Sequence, residues 1–391
     1  MARIFFTTNP FWRDERVLRA VAQIVSAVLV LAAIAWMVLN LLEAADRRGL
    51  TLGFGFIDDP AEFPISESLI PYDPSKTFGF AFLVGVLNTL KVAVIGVVLA
   101  TVLGTTVGLA RLSSNWLVNR IALVYIELHR NIPLLVLLFL WYFAVFNKLP
   151  SPAESVVLPG PIFLNQRGLY ITWARLAPSG LIFLIALGLG VVLAIVAWVV
   201  LRRRREQLGR PTYYAGVSLA ILLLVPVLGW VASGGSPLVP DVPVLEGFNF
   251  KGGLRLTPEF GALLVGLVMY TAAFIAEVVR SGIQAVDRGQ REAARSVGLG
   301  SMQILALVIF PQAMRVITPP LISQYLNLTK NSSLAVAIGY ADLFNVGRIM
   351  INQAGRAVPI FGMIMATYLL MSLFTSLILN VYNRRILRVE R

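Results

Sequence analysis

The chain contains several apolar runs of about 20 residues or more, and these runs restrict its fold more than any other feature. A helix of about 20 apolar residues crosses the hydrocarbon core of a bilayer, whereas the strands of a membrane barrel are shorter and alternate in polarity. Since 58% of the 391 residues are hydrophobic, we predict an all-α integral membrane protein. Eight spans are predicted, at about residues 17–42, 80–109, 121–146, 181–201, 213–232, 259–280, 313–339 and 358–381.

Arginines cluster at the ends of these runs and set the predicted orientation. Four consecutive arginines, Arg202–Arg205, follow the fourth run, and others lie near both chain ends, between residues 3 and 19 and between 384 and 391. Cytoplasmic loops of membrane proteins carry an excess of basic residues. We therefore predict a multi-pass protein of a bacterial inner membrane with both termini in the cytoplasm. The net charge of +13 is assigned to this orientation and not to nucleic-acid binding.

The composition excludes several kinds of functional site. The chain has no cysteine and a single histidine, His129, so it has neither a thiol site nor a multi-histidine metal site. It also lacks the Gly-x-x-x-x-Gly-Lys-Ser/Thr loop that holds nucleotide phosphates. We predict no catalytic residue, no metal and no cofactor bound by this chain. The proline- and glycine-rich segments 43–77, 148–178 and 233–258 are expected to be external loops.

A polar stretch, residues 290–311, interrupts the apolar pattern between the sixth and seventh spans. Glu292, Ala293 and Ala294 open a short helix whose small side chains permit close approach of a partner, and Gly298 ends or bends this helix. The charge pattern places the stretch in the cytoplasm, where it can pass the motion of a soluble partner to the adjoining spans. The alternative is an amphipathic helix that rests on lipid headgroups.

The spacing within this stretch resembles the EAA motif of permease subunits in ABC importers. That motif has Glu-Ala-Ala, three residues, Gly, nine residues and then Ile-x-Leu-Pro. In this chain Glu292-Ala-Ala is followed by Gly298 and by Val308-Ile-Phe-Pro311. Several other segments are similar to the polar amino-acid permeases of that superfamily: residues 276–283, Gly289-Gln290, residues 310–315, Lys330-Asn-Ser-Ser-Leu334 and Arg130-Asn-Ile-Pro-Leu134. At Asn331 many relatives carry Asp.

The resemblance implies the five-helix core of a type I, MetI-like ABC importer with one additional N-terminal helix and two inserted helices. Residues 1–79 then hold the cytoplasmic tail, the additional span and an external loop. Residues 80–147 and 259–391 form the two parts of the core, and residues 148–258 form the insertion. This organisation resembles the longer permease subunit of general L-amino-acid importers of the Aap/Bzt type.

The resemblance also implies a function and a set of partners. The chain is expected to be the non-catalytic permease subunit of an amino-acid importer. A second similar permease subunit, two ATPase subunits that bind ATP and Mg²⁺, and a soluble substrate-binding protein are the implied partners, with amino acids as substrates and lipid around the spans. The residues implied in coupling to the ATPase are Gln290, Glu292, Ala293, Ala294, Gly298 and Pro311.

Polar and ionisable residues inside spans are costly in lipid and are therefore candidates for function. The substrate-pathway candidates are Arg130, Lys330, Asn331, Ser332 and Ser333, and the alternative for them is hydrogen-bonded packing between helices. Glu277 and Arg280 stand three residues apart and are predicted to pair. Glu127 and Arg130 have the same spacing, and a stabilising pair between them is the alternative to a functional role. His129 is predicted to be a packed or interfacial residue. The alternative functions are an ion-gradient-driven secondary transporter or channel, and a membrane scaffold.

Overall fold

Helix α7 (Pro258–Gln284) is the central element of the fold. In the computed structural model, which describes residues 15–47, 52–209 and 211–387, α7 packs against α2 (Phe78–Ala110), α3 (Trp116–Asn131) and α10 (Phe310–Asn331). Two glycines of α2 face α7: a Cβ atom at Gly104 would lie 2.8 Å from the Ala272 carbonyl oxygen, and one at Gly108 would lie 2.7 Å from that of Ala276. The two backbones approach closely because these positions carry no side chain.

Seven helices are long and apolar enough to cross a membrane, judged by length and composition over the described residues. They are Val17–Ala44 within α1 (Glu15–Arg47), α2, α5 (Gly180–Leu208), α6 (Tyr214–Ala232), α7, the continuous run Ser301–Ile338 and Ala357–Val381 within α12 (Ala357–Leu387). A bent pair of helices supplies an eighth span if it is counted as one. The predicted helical membrane fold is confirmed. The chain ends, residues 1–14 and 388–391, lie outside the described residues, and with them Arg3, Arg13, Arg388 and Arg391 of the predicted cytoplasmic ends.

The third predicted span, residues 121–146, consists of two helices where the sequence analysis predicts one. Helix α3 ends at Asn131, and α4 (Leu134–Phe139) begins after Pro133, at an angle of 106° to it. Ile132 between them is extended, with φ −93° and ψ 128°. A proline disfavours the helical conformation of the residue before it, so the chain breaks instead of bending. After α4 the chain continues through a π-helical turn, Leu140–Val145.

The seventh span begins earlier than predicted. Helix α9 (Ser301–Gln303) leads through a π-helical turn, Ile304–Ile309, into α10, and a 3₁₀ segment, Ser332–Ile338, ends the run. Pro311 follows this π-helical turn inside the continuous run, where it lacks the N–H that would bond to the preceding turn. A further helix that the sequence analysis did not predict, α11 (Leu343–Ala354), is capped by the Asp342 side chain and lies before α12.

The two insertion loops carry eight short strands that were not predicted. Strands β1, β2, β3 and β8 form a four-stranded antiparallel sheet, and β4 with β5 and β6 with β7 form two-stranded pairs. The strands are β1 (Val156–Leu158), β2 (Ile162–Asn165), β3 (Gly168–Ile171), β4 (Trp173–Leu176), β5 (Leu238–Asp241), β6 (Val244–Glu246), β7 (Asn249–Lys251) and β8 (Leu254–Leu256). The rings of Tyr170 and Phe250, with centroids 5.0 Å apart, are buried among them.

The segment 52–77, predicted as an external loop, is packed against the helical core. Its Phe56, Ala61 and Phe63 are buried in one cluster with Val346 of α11 and Ile360 of α12. Helices α5 and α6, in contrast, pack mainly on each other. None of the side chains described for the span Val17–Ala44 of α1 is buried.

Candidate functional site

Helix α8 (Arg288–Ser296) occupies the polar stretch between α7 and α9. The Asp287 carboxylate caps it by accepting a hydrogen bond from the Gly289 backbone N–H at 2.6 Å. Beyond its end Gly298 has a φ of +85°, and its N–H donates to the Arg295 carbonyl oxygen at 2.9 Å. Since residues with a Cβ rarely adopt this conformation, the glycine break predicted from the sequence has a backbone cause.

Ala294 connects α8 to the membrane-spanning helices. It is buried in one cluster with Val286, Ile304 and Ile309, so α8 packs on the start of the following span. Pro311 lies further along that span, and its side chain is exposed.

The remaining predicted coupling residues face outward. Gln290, Glu292 and Ala293 are exposed. Gln290 accepts a hydrogen bond from the Gln312 side chain at 3.3 Å. Within the described part of the chain Glu292 forms neither a hydrogen bond nor an ion pair, and Asp287 is the residue that caps the helix. The Glu292 carboxylate is therefore available to a binding partner.

A cleft of about 820 Å³ lies beside α8, between the ends of α2 and α7. Arg288, Arg291 and Arg295 contribute to its wall. Two apolar side chains on this side of the molecule, Val297 and Met302, are 74% and 78% exposed. A surface that combines basic side chains with exposed apolar ones is typical of a contact with another protein.

A small polar cavity of about 220 Å³ lies between α7 and α10. Its walls are formed by Tyr270, Thr271 and Phe274 of α7 and by Gln324, Asn327 and Asn331 of α10. The Arg130 guanidinium carbon lies 5.4 Å from the centre of the Phe274 ring, which places Arg130 beside the cavity wall. The structure thus brings Arg130 and Asn331, two of the predicted pathway residues, to one place.

The other predicted pathway residues do not line this cavity. Ser332 is fully buried, and its hydroxyl donates a hydrogen bond to the Thr329 carbonyl oxygen at 2.8 Å. Ser333 donates in the same way to the Lys330 carbonyl oxygen at 2.8 Å. The Lys330 side chain is exposed. Both of these hydrogen bonds run to a carbonyl oxygen three residues earlier in the same segment and not between helices.

The predicted ion pair of Glu277 and Arg280 is present. Arg280 donates to Glu277 through two nitrogens, with Nε at 3.0 Å from Oε2. The pair of Glu127 and Arg130, which was the alternative to a functional role, does not form between these described residues. Glu127 accepts a hydrogen bond from the Asn131 side chain at 3.2 Å, and Arg130 stacks on Phe274 instead.

His129 is packed, as predicted. It is buried, and its Nδ1 atom lies 2.9 Å from the Tyr125 carbonyl oxygen. The centres of the His129 and Tyr125 rings are 4.4 Å apart. The ring is therefore held within its own helix by a contact one turn away.

Sequence reasoning missed a buried ion pair between Glu67 and Lys91. Lys91 lies within α2, pairs with the Glu67 carboxylate and places its Nζ atom 4.1 Å from the centre of the Phe260 ring. The Glu67 carboxylate also accepts a hydrogen bond from the Thr257 hydroxyl at 2.6 Å, at the start of α7. The available signal was Lys91 itself, because a lysine inside an apolar span requires a partner.

A second buried carboxylate, Asp342, was also missed. It caps α11 through the Asn345 backbone N–H at 2.9 Å and accepts a hydrogen bond from the Tyr368 hydroxyl at 3.2 Å. Burial raises the pKa of Asp342 to about 6. Both carboxylates connect segments that are distant in the sequence, so they hold the core together.

Residues 186–388, just over half of the chain, match the family described as binding-protein-dependent transport system inner membrane component. The chain belongs to this family. It is 45% identical over 371 residues to the permease protein YhdX of Escherichia coli K12, covering 94% of each chain. It is 44% identical to the general L-amino acid transport system permease protein AapQ of Rhizobium johnstonii, covering 94% of this chain and 92% of AapQ. It is 39% identical to the glutamate/glutamine/aspartate/asparagine transport system permease protein BztB of Rhodobacter capsulatus, covering 97% of this chain and 96% of BztB.

Membership of the family confirms the resemblance found in the EAA stretch and makes the chain a multi-pass inner membrane component of a transport system. The alternative of a secondary transporter is not favoured, because the family works with binding proteins. The boundaries at residues 79, 147 and 258 and the roles of the individual coupling and pathway residues stay predictions.

Proposed function

We propose that the chain is the permease subunit of an ABC importer of amino acids and that α8 receives the motion of a separate ATPase subunit. The observation that carries this proposal is α8 itself: an exposed helix, ended by Gly298, that packs through Ala294 on a membrane span. The nearly full-length similarity to AapQ and BztB, whose names specify amino-acid transport, supports the substrate class.

The connections of α8 suit it to transmit motion. Residues 285–287 join it to α7, and residues 297–300 join it to α9 and the span that follows. The buried cluster around Ala294 includes Ile283 of α7 and Ala313 of α10. Because packed interiors resist compression, a force on α8 displaces both spans together.

The complex that this proposal requires has four further subunits of three kinds. A second, similar permease subunit completes the pathway, and two ATPase subunits, one for each permease, supply ATP binding and hydrolysis with Mg²⁺. A soluble substrate-binding protein delivers the amino acid on the outer side. The chain's own part is to bind one ATPase subunit with α8, on the cytoplasmic side to which both termini also belong.

The cavity between α7 and α10 is the proposed part of the substrate pathway. Thr271, Gln324, Asn327 and Asn331 offer hydrogen-bond donors and acceptors, which suit the ammonium and carboxylate groups of an amino acid. Arg130 lies behind Phe274, where its positive charge favours a carboxylate in the cavity.

The coupling role is tested with two glycines that both have a left-handed backbone conformation. Gly298 and Gly209 have φ values of +85° and +64°, and a Cβ atom at either would meet nothing within 4 Å. We expect Gly298→Val to lower ATP-driven amino-acid uptake roughly tenfold or more, since a left-handed conformation costs other residues about 1–2 kcal/mol. The measurement is uptake into vesicles that contain the complete complex.

The matched control is Gly209→Val, which imposes the same strain at the end of α5 and is expected to leave uptake close to the wild-type rate. ATP hydrolysis and co-purification of the ATPase are measured in parallel, so that lost coupling is distinguished from lost assembly. Wild-type uptake by Gly298→Val, with the ATPase still bound, would contradict the coupling role of this loop.

A further inference from the structure

A groove of about 540 Å³ lies between α5 and α6, the two helices of the insertion. Ala194 and Trp198 of α5 and Ala215 and Leu222 of α6 are among the residues that form it. Its surface is apolar with one exception, Ser218. The groove is distinct from α8 and from the cavity between α7 and α10.

Ser218 is buried, with 6% of its surface exposed, yet its hydroxyl has no hydrogen-bond partner among the described residues. Hydroxyls inside helices usually bond to the carbonyl oxygen four residues earlier, as Thr106 does to Val102 at 2.8 Å. A buried polar group without a partner is costly. The Ser218 hydroxyl is therefore an unpartnered polar group at the wall of the groove, and an acceptor on a bound molecule would supply its missing hydrogen bond.

One end of the groove is basic and aromatic. The rings of Trp198 and Tyr214 meet edge to face at 4.8 Å, and the Arg205 guanidinium carbon lies 5.6 Å from the centre of the Tyr214 ring. Tryptophan and tyrosine are enriched where a membrane meets water. This end of the groove is therefore at the level of the lipid headgroups.

Helical spacing divides the four arginines into two pairs. Arg202 and Arg205 follow Ile195 and Trp198 by seven residues each and continue the stripe that forms the groove. Arg203 and Arg204 lie on other sides of α5 by the same spacing. Arg202 also contacts Glu206 at 3.2 Å, but both side chains are more than half exposed. Two cations thus lie at the open end of an apolar groove.

We propose that this groove binds one anionic phospholipid. Its phosphate lies at Arg202 and Arg205, and one acyl chain follows the groove. Ser218 is four residues into α6 from Tyr214, roughly 6 Å deeper at 1.5 Å per residue, a depth that suits the ester oxygens of the glycerol. The charge of the groove's open end favours a lipid with a net negative headgroup over a zwitterionic one.

The test compares two double variants with the same change of charge. The full chain, purified with its partner subunits, carries either Arg202→Gln with Arg205→Gln or Arg203→Gln with Arg204→Gln. Retention of added phosphatidylglycerol and of added phosphatidylcholine is measured by native mass spectrometry. We expect the first pair to weaken phosphatidylglycerol binding roughly 30-fold, since each basic residue near a lipid surface contributes about one kcal/mol, and the second pair to have little effect.

Two results would overturn the proposal directly: equal weakening by both double variants, or equal retention of the two lipids by the wild-type protein. A further variant, Ala215→Trp, fills the groove from an exposed position and leaves the arginines in place. It is expected to reduce phosphatidylglycerol binding as well. Binding that persists in this variant would show that the arginines act without the groove.

The other possible occupant is protein, either α1 or a partner subunit. The chain has no cysteine, so Ala215→Cys introduces a single thiol at the groove. In native membranes we expect this thiol to react with a lipid-soluble maleimide and to form few cross-links. Efficient cross-linking to α1 or to another subunit, with the thiol protected from the reagent, would show a protein-covered groove and would sink the lipid assignment.

Discussion

Helices α7 and α5 are apolar spans of similar length, but their surroundings differ sharply. Fifteen of the 27 residues of α7 are buried, against three of the 29 residues of α5. Both pass the same test of length and composition for a membrane span. An apolar run therefore determines that a helix enters the bilayer, whereas its small residues and polar partners determine whether it is surrounded by protein or by lipid.

The same contrast separates the ion pairs of the two regions. Glu67 and Lys91 have side chains that are 6% and 12% exposed, and the pair joins three segments of the core. Glu246 and Lys251 pair within the hairpin of β6 and β7, where both side chains are more than half exposed. The hydrogen bond to Glu246, and then the charge of its carboxylate, raise the pKa of Lys251. The predictions below test this division from the largest expected effect to the smallest.

Replacing Lys91 with methionine should destabilise the complex most. The change leaves the Glu67 carboxylate buried without its cation, and removal of one partner from a buried pair costs about 3–5 kcal/mol. The measurement is the thermal unfolding midpoint of the purified complex. Lys251→Met is the matched control and should leave the midpoint unchanged, because solvent screens exposed pairs.

A double variant distinguishes a lost ion pair from poor packing of methionine. Glu67→Gln combined with Lys91→Met removes both charges and should recover much of the lost stability. If Lys91→Met alone is as stable as the wild-type complex, the pair does not hold the core together and the contrast with the hairpin pair fails.

Replacing Gly104 with alanine should separate α2 from α7. The new methyl group would lie 2.6 Å from the Ile275 Cβ atom and 2.8 Å from a backbone oxygen of α7, so a helix has to move. Overpacking of this kind costs about 1–3 kcal/mol. Gly188→Ala on α5 is the control, since its Cβ atom would meet nothing within 4 Å. Equal unfolding midpoints for the two variants would contradict close packing as the basis of the core.

Some of these features could be predicted from the sequence, and others could not. The spans and α8 were predictable because their signals are local: a long apolar run for lipid, and small residues followed by Gly298 for the short helix. Family resemblance added the partners. The break at Pro133 was visible as a proline, but its angle depends on how α4 packs on α7, which no local pattern reports.

The remainder depended on contacts between distant segments. Strand β3 pairs with β8, so Tyr170 lies opposite Arg255 across two inserted helices, and strands of three or four residues carry too little periodicity to be recognised. The contact between Glu67 and Lys91 also depends on tertiary folding, because it forms only when the proline-rich segment 52–77 packs on α2. In the cavity Asn331 was predicted, whereas Tyr270 and Gln324 became candidates only when α7 packed on α10.

Removing the cap of α8 should have a local effect of intermediate size. In Asp287→Ala the Gly289 N–H loses its acceptor, and loss of a helix cap costs about 1 kcal/mol. We expect faster hydrogen exchange over residues 288–296 and weaker co-purification of the ATPase subunit. Asn115→Ala removes a comparable cap from α3 and should leave both readouts unchanged. The same exchange increase in both variants would show a global and not a local effect.

The smallest effect is expected in the outer strands. Arg175 of β4 lies 3.5 Å from Asp241 of β5, with 74% and 26% of the two side chains exposed, so Arg175→Gln should cost at most about 1 kcal/mol and less at high salt. The unfolding midpoint is measured at low and high ionic strength, with Arg167→Gln on the turn between β2 and β3 as the control for general charge loss. A drop as large as that of Lys91→Met would mean that the strands are a structural part of the core, because an ion pair held only at a surface cannot contribute so much. If the unfolding midpoint falls only slightly and the difference disappears at high salt, the strands before α7 belong to the periphery and the core begins at α7.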